Sequence, residues 1–472
     1  MEDTGFLDFE MEDLNSPQAL HKGPDRKKSA NLIGLDELLH DHYQEKIKIV
    51  ERESKKPRMY SSDSSDEEDD KRGKKREEQL SEFVSECERQ VHNIAATVEV
   101  APWGERIFGS QNSSPRLLVP GVDVCPLLQK LSENSELRLM TGLSAENGES
   151  FMVELLISGW LLNLILSRSH CDEFTVRWAF NLMAHSSTEN VEMSACNFLC
   201  SIVLSGTEGS SSFCTLDWVP TYDQIKETVQ IYGYLEDCMG DEQTLSEDKE
   251  DFEYDGPPEN IRSWVKFVAA CCRARKSRSI LTTSEAENLA VMVTRFFLDR
   301  KLLCLSGILQ ECLSSIVNFF TDEEWLASSD IIAFSLSCSL PETNSNCLKL
   351  VESLSGLDVR IKELQKKVAL HLLLSCMGKK EFTDVKQIID LLTSFNVRDK
   401  QTDFIRMYIC LALADVWLWC NPLVNENSIA LETWLHFLRG CSCQISSTDW
   451  RAYASKVRNK ASYLLQIYEG QR

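Results

Sequence analysis

The chain is short of proline and glycine, with 12 and 20 among 472 residues. So few helix breakers and turn formers argue against many short strands joined by tight turns and favour long helices. Cysteine is plentiful, at 18 residues, yet it never occurs as CxxC. The closest pairs are Cys196/Cys200, Cys271/Cys272 and Cys441/Cys443, and no histidine stands at zinc-finger spacing from any of them. That excludes the common zinc modules and dithiol redox motifs. Most cysteines, including Cys87, Cys312, Cys376 and Cys410, fall on predicted apolar faces. There a reduced thiol acts as a small hydrophobe, as expected in a cytosolic or nuclear protein.

Motifs that carry chemistry are missing as well. There is no nucleophile elbow, HExxH, Walker sequence, dinucleotide fingerprint or kinase signature. The eight histidines are scattered, and His40 and His42, two apart on a helix, point away from each other. The expectation is a chain that is not an enzyme and uses no cofactor or metal. No apolar run reaches the roughly 20 residues of a bilayer span. The nearest, Phe151–Leu166, is interrupted by Glu154, Ser158 and Asn163 and reads as one core helix buried on most sides. No membrane association is expected, and the start MEDTGFLDFE is acidic rather than an apolar leader. Basic residues are outnumbered 73 to 50, for a net charge of −23. A body this acidic holds nucleic acid poorly unless its bases cluster locally.

Helical periodicity is what the chain has in abundance. Phe151–Leu204 reads as three consecutive helices. In the third, Val191, Ala195, Phe198, Leu199, Ile202 and Val203 share one face, Glu189 and Glu192 suit the positive end of the macrodipole, and Gly206 is a stop. In the second, Phe174, Trp178 and Leu182 form a stripe with Val176, Phe180 and Met183 beside it. Upstream, Glu77–Val98 is strongly amphipathic through Leu80, Phe83, Val84, Cys87, Val91, Ile94, Ala95 and Val98. From Ile261 onward helix follows helix. Ser284 with Glu287 reads as a capping box for a helix through Phe297, and further helices are predicted over 302–320, 322–339, 345–355, 357–377, 383–395, 402–420, 427–439 and 447–468. Trp178, Trp264, Trp417, Trp419 and Trp434 read as core anchors.

These patterns predict an all-α fold: an irregular, HEAT-like helical-repeat solenoid behind a disordered, charged N-terminal region. The expected divisions are 1–76 (a tail, one helix and a charged linker), 77–239 (a first helical half), 240–259 (an acidic linker) and 260–472 (a second helical half).

Three charged or mixed tracts are candidate functional sites. Near the start, Phe6, Leu7, Phe9, Met11 and Leu14 alternate with acids, as in a docking peptide or a solvated tail. Lys55, Lys56 and Arg58, then Lys71, Arg72, Lys74, Lys75 and Arg76, have the spacing of a bipartite nuclear import signal or of a polyampholyte linker. Between them the acidic run holds Ser61, Ser62, Ser64 and Ser65, candidate phosphosites for an acid-directed kinase. Further on, Arg273, Arg275, Lys276 and Arg278 crowd the end of a helix. They could contact phosphate or DNA, or simply complement the helix dipole.

Several stretches together resemble the CANIN family (coiled-coil, SMC- and NSE-interacting), localisation factors of the fifth-and-sixth SMC complex. They are LDELL at Leu35–Leu39, ECER at Glu86–Arg89, PWGERIF at Pro102–Phe108, WAFNLMAHSSTENVEMSACNFL from Trp178, and WVPTYDQI at Trp218–Ile225. The resemblance runs over about residues 31 to 370, and none of its motifs carries chemistry. It implies a nuclear, non-catalytic α-helical scaffold in DNA repair, hetero-oligomeric with the SMC complex and a second non-SMC subunit. Direct DNA contact is left open. The runner-up reading is a cytosolic helical-repeat adaptor in trafficking or ubiquitin ligation.

Overall fold

The computed structural model describes residues 103–470 apart from 145, 207–212, 237–255, 341–344, 357, 379–384, 400, 420–427, 447–448 and 450. The docking peptide, the import clusters, the serine run and the 77–98 helix lie outside the described residues. The described residues are all-α. Strand is confined among them to a two-residue parallel pair, β1 (His170–Cys171) with β2 (Thr215–Leu216), and one bridge between Phe108 and Tyr234.

Residues 103–120 carry no regular secondary structure apart from the bridge at Phe108; Ile107, Phe108 and Pro120 are buried and 110–119 are exposed. Two short helices follow, α1 (Pro126–Glu133) and α2 (Ser135–Thr141). The predicted single helix over Phe151–Leu166 is in fact two, α3 (Gly148–Ile157) and α4 (Trp160–Arg168), bent by 88°. The break falls at Gly159, whose φ of 77° is open to glycine and strained for other residues. The pair is not buried on most sides either. Met152, Leu156, Leu161 and Ile165 are buried, while Trp160 at the bend is 62% exposed. Phe151, Val153, Leu155, Leu162 and Leu166 are half-buried against the core, and the bend leaves Ile157 and Trp160 facing outward. Among the described residues no single helix is long and apolar enough to cross a membrane.

The other two helices of that stretch form as their periodicity predicts: α5 (Glu173–His185) and α6 (Glu189–Leu204). Asp172 caps α5, its carboxylate accepting from the Thr175 N–H. Helix α7 (Tyr222–Ile231) starts with a capping box in which Thr221 and Gln224 satisfy each other's backbone donors. After the acidic stretch comes α8 (Ile261–Arg273), then α9 (Thr283–Phe296). The capping box of α9 is Thr282 with Glu285, two residues before the predicted Ser284/Glu287 pair. Both pairs have the right spacing; the one chosen leaves Ala286, Leu289, Ala290 and Val293 facing the core.

A 3₁₀ turn (Arg300–Leu305) precedes α10 (Ser306–Val317), where one longer helix is predicted. The rest are α11 (Asp322–Cys338), α12 (Asn346–Ser353), α13 (Val359–Cys376), α14 (Val385–Leu392), α15 (Phe404–Trp419), α16 (Ser428–Gln444) and α17 (Ala454–Gly470).

Packing follows chain order closely. Helix α5 packs on α6, both pack on α8, and α8 packs on α10. The succession continues α10–α9–α11–α13–α15–α17–α16. The sequences on either side of the acidic 240–259 stretch therefore share one core. Trp264 Nε1 donates to the Ile225 carbonyl at 2.9 Å, and Asn260 Nδ2 donates to the carbonyls of Met183 and Ser186 at 3.0 and 3.1 Å. Trp178, Trp264, Trp417 and Trp434 are buried, as core anchors must be. Phe180 is half-buried and ties Trp218 to Phe267, with ring centroids at 6.1 and 5.7 Å. Cys312, Cys376 and Cys410 are buried, whereas Cys304, Cys338 and Cys443 are exposed.

Candidate functional site

The basic cluster at the end of α8 does not converge on a common ligand position. Arg275 turns inward, and its two terminal nitrogens each lie 2.7 Å from a carboxylate oxygen of Glu324 at the start of α11. Its guanidinium also donates to the Phe319 carbonyl and lies 4.2 Å from the Phe319 ring centroid. Arg278 reaches back to the C-terminus of α6. There it donates to the Ile202 carbonyl at 3.4 Å, to Ser205 Oγ at 3.2 Å and to the Cys214 carbonyl. A cation at these end carbonyls complements the helix dipole, and burial lowers the Arg278 pKa. Arg273 and Lys276 are exposed, Arg273 lying 3.8 Å from Glu311. Two of the four bases are thus internal fasteners, joined to residues 40 to 80 positions away, which no local sequence signal could reveal.

Glu324 carries a pH signature. The Arg275 guanidinium, and after it the Thr321 backbone N–H, hold its carboxyl at about 2 rather than 4.5. The folded value lies below the unfolded one, so the pair's contribution to stability is complete above about pH 4.5 and is lost as pH falls towards about 2. The difference in melting temperature between the wild type and Glu324→Gln is therefore expected to narrow steadily as the buffer is taken from neutral to acid. Thermal melts followed by circular dichroism would read this, and a gap that stays constant with pH would contradict it.

Of the stretches that resemble the CANIN family, those at Trp103–Phe108, from Trp178 and at Trp218–Ile225 lie among the described residues and pack against the core; Leu35–Leu39 and Glu86–Arg89 lie outside them. Along Trp103–Phe108, the Trp103 carbonyl accepts from Arg300 Nε at 2.6 Å, and Gly104 N donates to Asn346 Oδ1 at 2.7 Å. Glu105 N donates to the Leu298 carbonyl at 3.0 Å, and Ile107 N donates to the buried carboxylate of Asp299 at 3.4 Å. On the other side, the Ile107 carbonyl accepts from Leu235 N at 3.0 Å. Gly104 has φ 121°, and a Cβ there would stand 2.8 Å from Arg300 Nε, so only glycine fits. Glu105 pairs with Arg295 at 3.5 Å, and the Arg295 side chain is 6% exposed. Phe108 is buried between Tyr234 and Phe296. This segment staples α7's end to α9 and α12.

The two tryptophan motifs interlock in the same way. Arg177 stacks 4.8 Å over Trp218, Phe180 touches Trp218, and the Tyr232 hydroxyl donates to the Ala184 carbonyl at 2.8 Å. The motif residues among the described residues are packing residues, as motifs without reactive side chains suggest; which distant residues they pack against has no local signal in the sequence.

Burial lowers the pKa of His185 and His371 and raises that of Glu192. Among the described residues no group of three His, Cys, Asp or Glu side chains is placed to hold a metal. The surface offers apolar features instead. One is the Ile157/Trp160 bend. A second is formed by Leu326, Ile331 and Phe334 of α11, each at least half exposed. A third is a groove of about 380 Å³ between the start of α10 and α12, lined by Phe297, Leu302, Leu303, Gly307, Gln310 and Lys349 among others.

A scan against protein-family models finds no family that matches the chain, and a search of curated proteins finds no matching relative.

Proposed function

We propose that this chain is a non-catalytic α-helical scaffold that recruits or regulates an SMC-type genome-maintenance complex in DNA repair, through protein contacts with the complex and a second non-SMC subunit. The observation that carries the reading is the set of stretches resembling the CANIN family. Their residues, from Trp103–Phe108 through Trp178 and Phe180 to Trp218 and Ile225, pack on one another and on their neighbours and present no reactive group. A signature made of packing residues is what a shared architecture leaves in sequence, whereas a shared reaction leaves polar residues at a cleft. Near-sequential stacking of helices, extended as a HEAT-like array, suits broad protein partners better than small substrates. Nuclear location through Lys55, Lys56, Arg58 and Lys71–Arg76 belongs to the same proposal.

The acidic body favours recruitment by protein over recruitment by DNA, because a net charge of −23 repels phosphate. A tagged full-length chain pulled down from nuclear extract is expected to enrich SMC and non-SMC-element subunits both with and without nuclease. Enrichment that vanishes with nuclease would shift the contact to DNA and make Arg273 and Lys276 the residues to replace. No enrichment in either arm would sink the scaffold reading and favour a cytosolic helical-repeat adaptor.

A further inference from the structure

Helix α8 packs between α6 and α10, and ten of its 13 residues are buried. The other three are Arg262, Lys266 and Arg273, and all three are basic. At i, i+4 and i+11 they form one row down a single side of the helix, and the buried Ala269 fills the turn between the last two. The row is about 16 Å long. The exposed Lys276 follows it one turn further on.

Helix stability does not account for this row. Arg262 stands in the first turn of α8, where the positive end of the macrodipole disfavours a cation, and no acidic residue occupies that turn. Among the described residues neither Arg262 nor Lys266 has a carboxylate within ion-pair distance. Arg273 meets Glu311 only at 3.8 Å, with both side chains open to solvent. Any polar residue would serve solvation alone. In a chain with 73 acids and 50 bases, three cations in the three open places of one helix run against the prevailing charge.

We propose that this row is a docking surface for an acidic helix of a partner protein, whose carboxylates recur at the spacing of Arg262, Lys266 and Arg273. The proposal names the chemistry of one partner contact and rests on the scaffold reading above. Carboxylates one turn apart on a partner helix lie about 6 Å apart along its axis, as Arg262 and Lys266 do on α8. A nucleic acid fits less well, because its phosphates continue past the row over a chain of net charge −23. Next to the Glu192 that bonds Ser263 of α8, helix α6 also exposes Met193, by 42%, which offers an apolar contact to a protein side chain.

Fluorescence anisotropy with the full-length chain tests this, using a labelled helical peptide of about 16 residues with Glu at the spacing of the row and otherwise Ala and Gln. At about 20 mM salt it is expected to bind, and the same peptide with Gln for Glu is not. Arg262→Gln/Lys266→Gln should weaken binding roughly fivefold or more, and Arg262→Lys should keep it. The melting temperature of the double variant should equal or exceed that of the wild type, because losing a first-turn cation suits the dipole. Equal affinity of wild type and double variant, or no binding of the Glu peptide, would overturn the proposal. So would a fall in melting temperature that matched the loss of binding, which would make the row part of the fold. Three results would overturn it by naming another occupant. A single strand of about 20 nucleotides bound more tightly than the peptide assigns the row to nucleic acid. A wild-type dimer at low salt that the double variant dissolves assigns it to a second copy. Peptide binding that appears only when residues 241–253 are replaced with Gly and Ser assigns it to the chain's own acidic stretch. Peptide binding that follows the row, with no SMC subunit enriched from nuclear extract, would keep the row and drop the SMC reading, so the two failures are distinct.

Discussion

Trp264→Ala is expected to cost about 3–5 kcal/mol of folding free energy, from the loss of a large buried aromatic and the cavity left behind. The indole is fully buried in α8, the helix on which α5, α6 and α10 all pack. Its ring lies 6.0 Å from Phe296, and its Nε1 supplies the hydrogen bond to the Ile225 carbonyl. Trp264→Phe separates the two contributions. It keeps most of the apolar volume but leaves that carbonyl without the indole donor, for a cost of about 1–3 kcal/mol. Urea denaturation followed by circular dichroism would measure both. A Trp264→Ala midpoint within error of the wild type, at unchanged slope, would show that α8 is not the centre of the core.

Arg295→Ala should be nearly as damaging, through charge rather than volume. Arg295 donates to the Tyr234 hydroxyl at 3.3 Å and to the Glu236 carbonyl at 3.1 Å, and faces Glu105 at 3.5 Å. Removing one member of a buried ion pair strands the other, typically at about 3–5 kcal/mol. One oxygen of Glu105 is already buried without a hydrogen-bond partner, so its carboxylate has nowhere else to turn. Replacing both members, as Glu105→Leu with Arg295→Met, should recover most of the loss, because two apolar side chains carry no desolvation penalty. The same urea titration decides the matter. Equal losses in the single and double variants would mean that packing, not pairing, is what Arg295 supplies.

Periodicity carried the reading of the fold as far as a one-dimensional pattern can. Helices α5 and α6 were legible because each has one apolar stripe and a polar remainder, so phase and length are both visible. The bend between α3 and α4 was not, because a segment apolar all round has no phase to lose; only Gly159 marked it. The cap of α9 was misplaced by two residues because Thr282/Glu285 and Ser284/Glu287 have the same spacing, and the buried face chose between them.

The basic run from Arg273 to Arg278 shows the limit most clearly. Four bases in six residues read as a patch, but a guanidinium bonds to whatever acceptor the fold brings near it. For Arg275 that is Glu324, and for Arg278 it is the end of α6. In the same way, the turn around Gly104 reads as a loop until Leu298, Asp299 and Asn346 arrive to receive it.

The helical class, the rough number and place of the helices, the burial of Trp178, Trp264, Trp417 and Trp434 and the acidic balance were determined by the sequence itself. They depend on the polarity of residues within a turn or two of one another, and that polarity is local. Which charges are fasteners, which apolar faces remain open, and how the halves on either side of the acidic stretch join were decided only by the tertiary structure. Those outcomes depend on partners tens to hundreds of residues away, chosen by shape and by the cost of leaving a buried polar group unpaired.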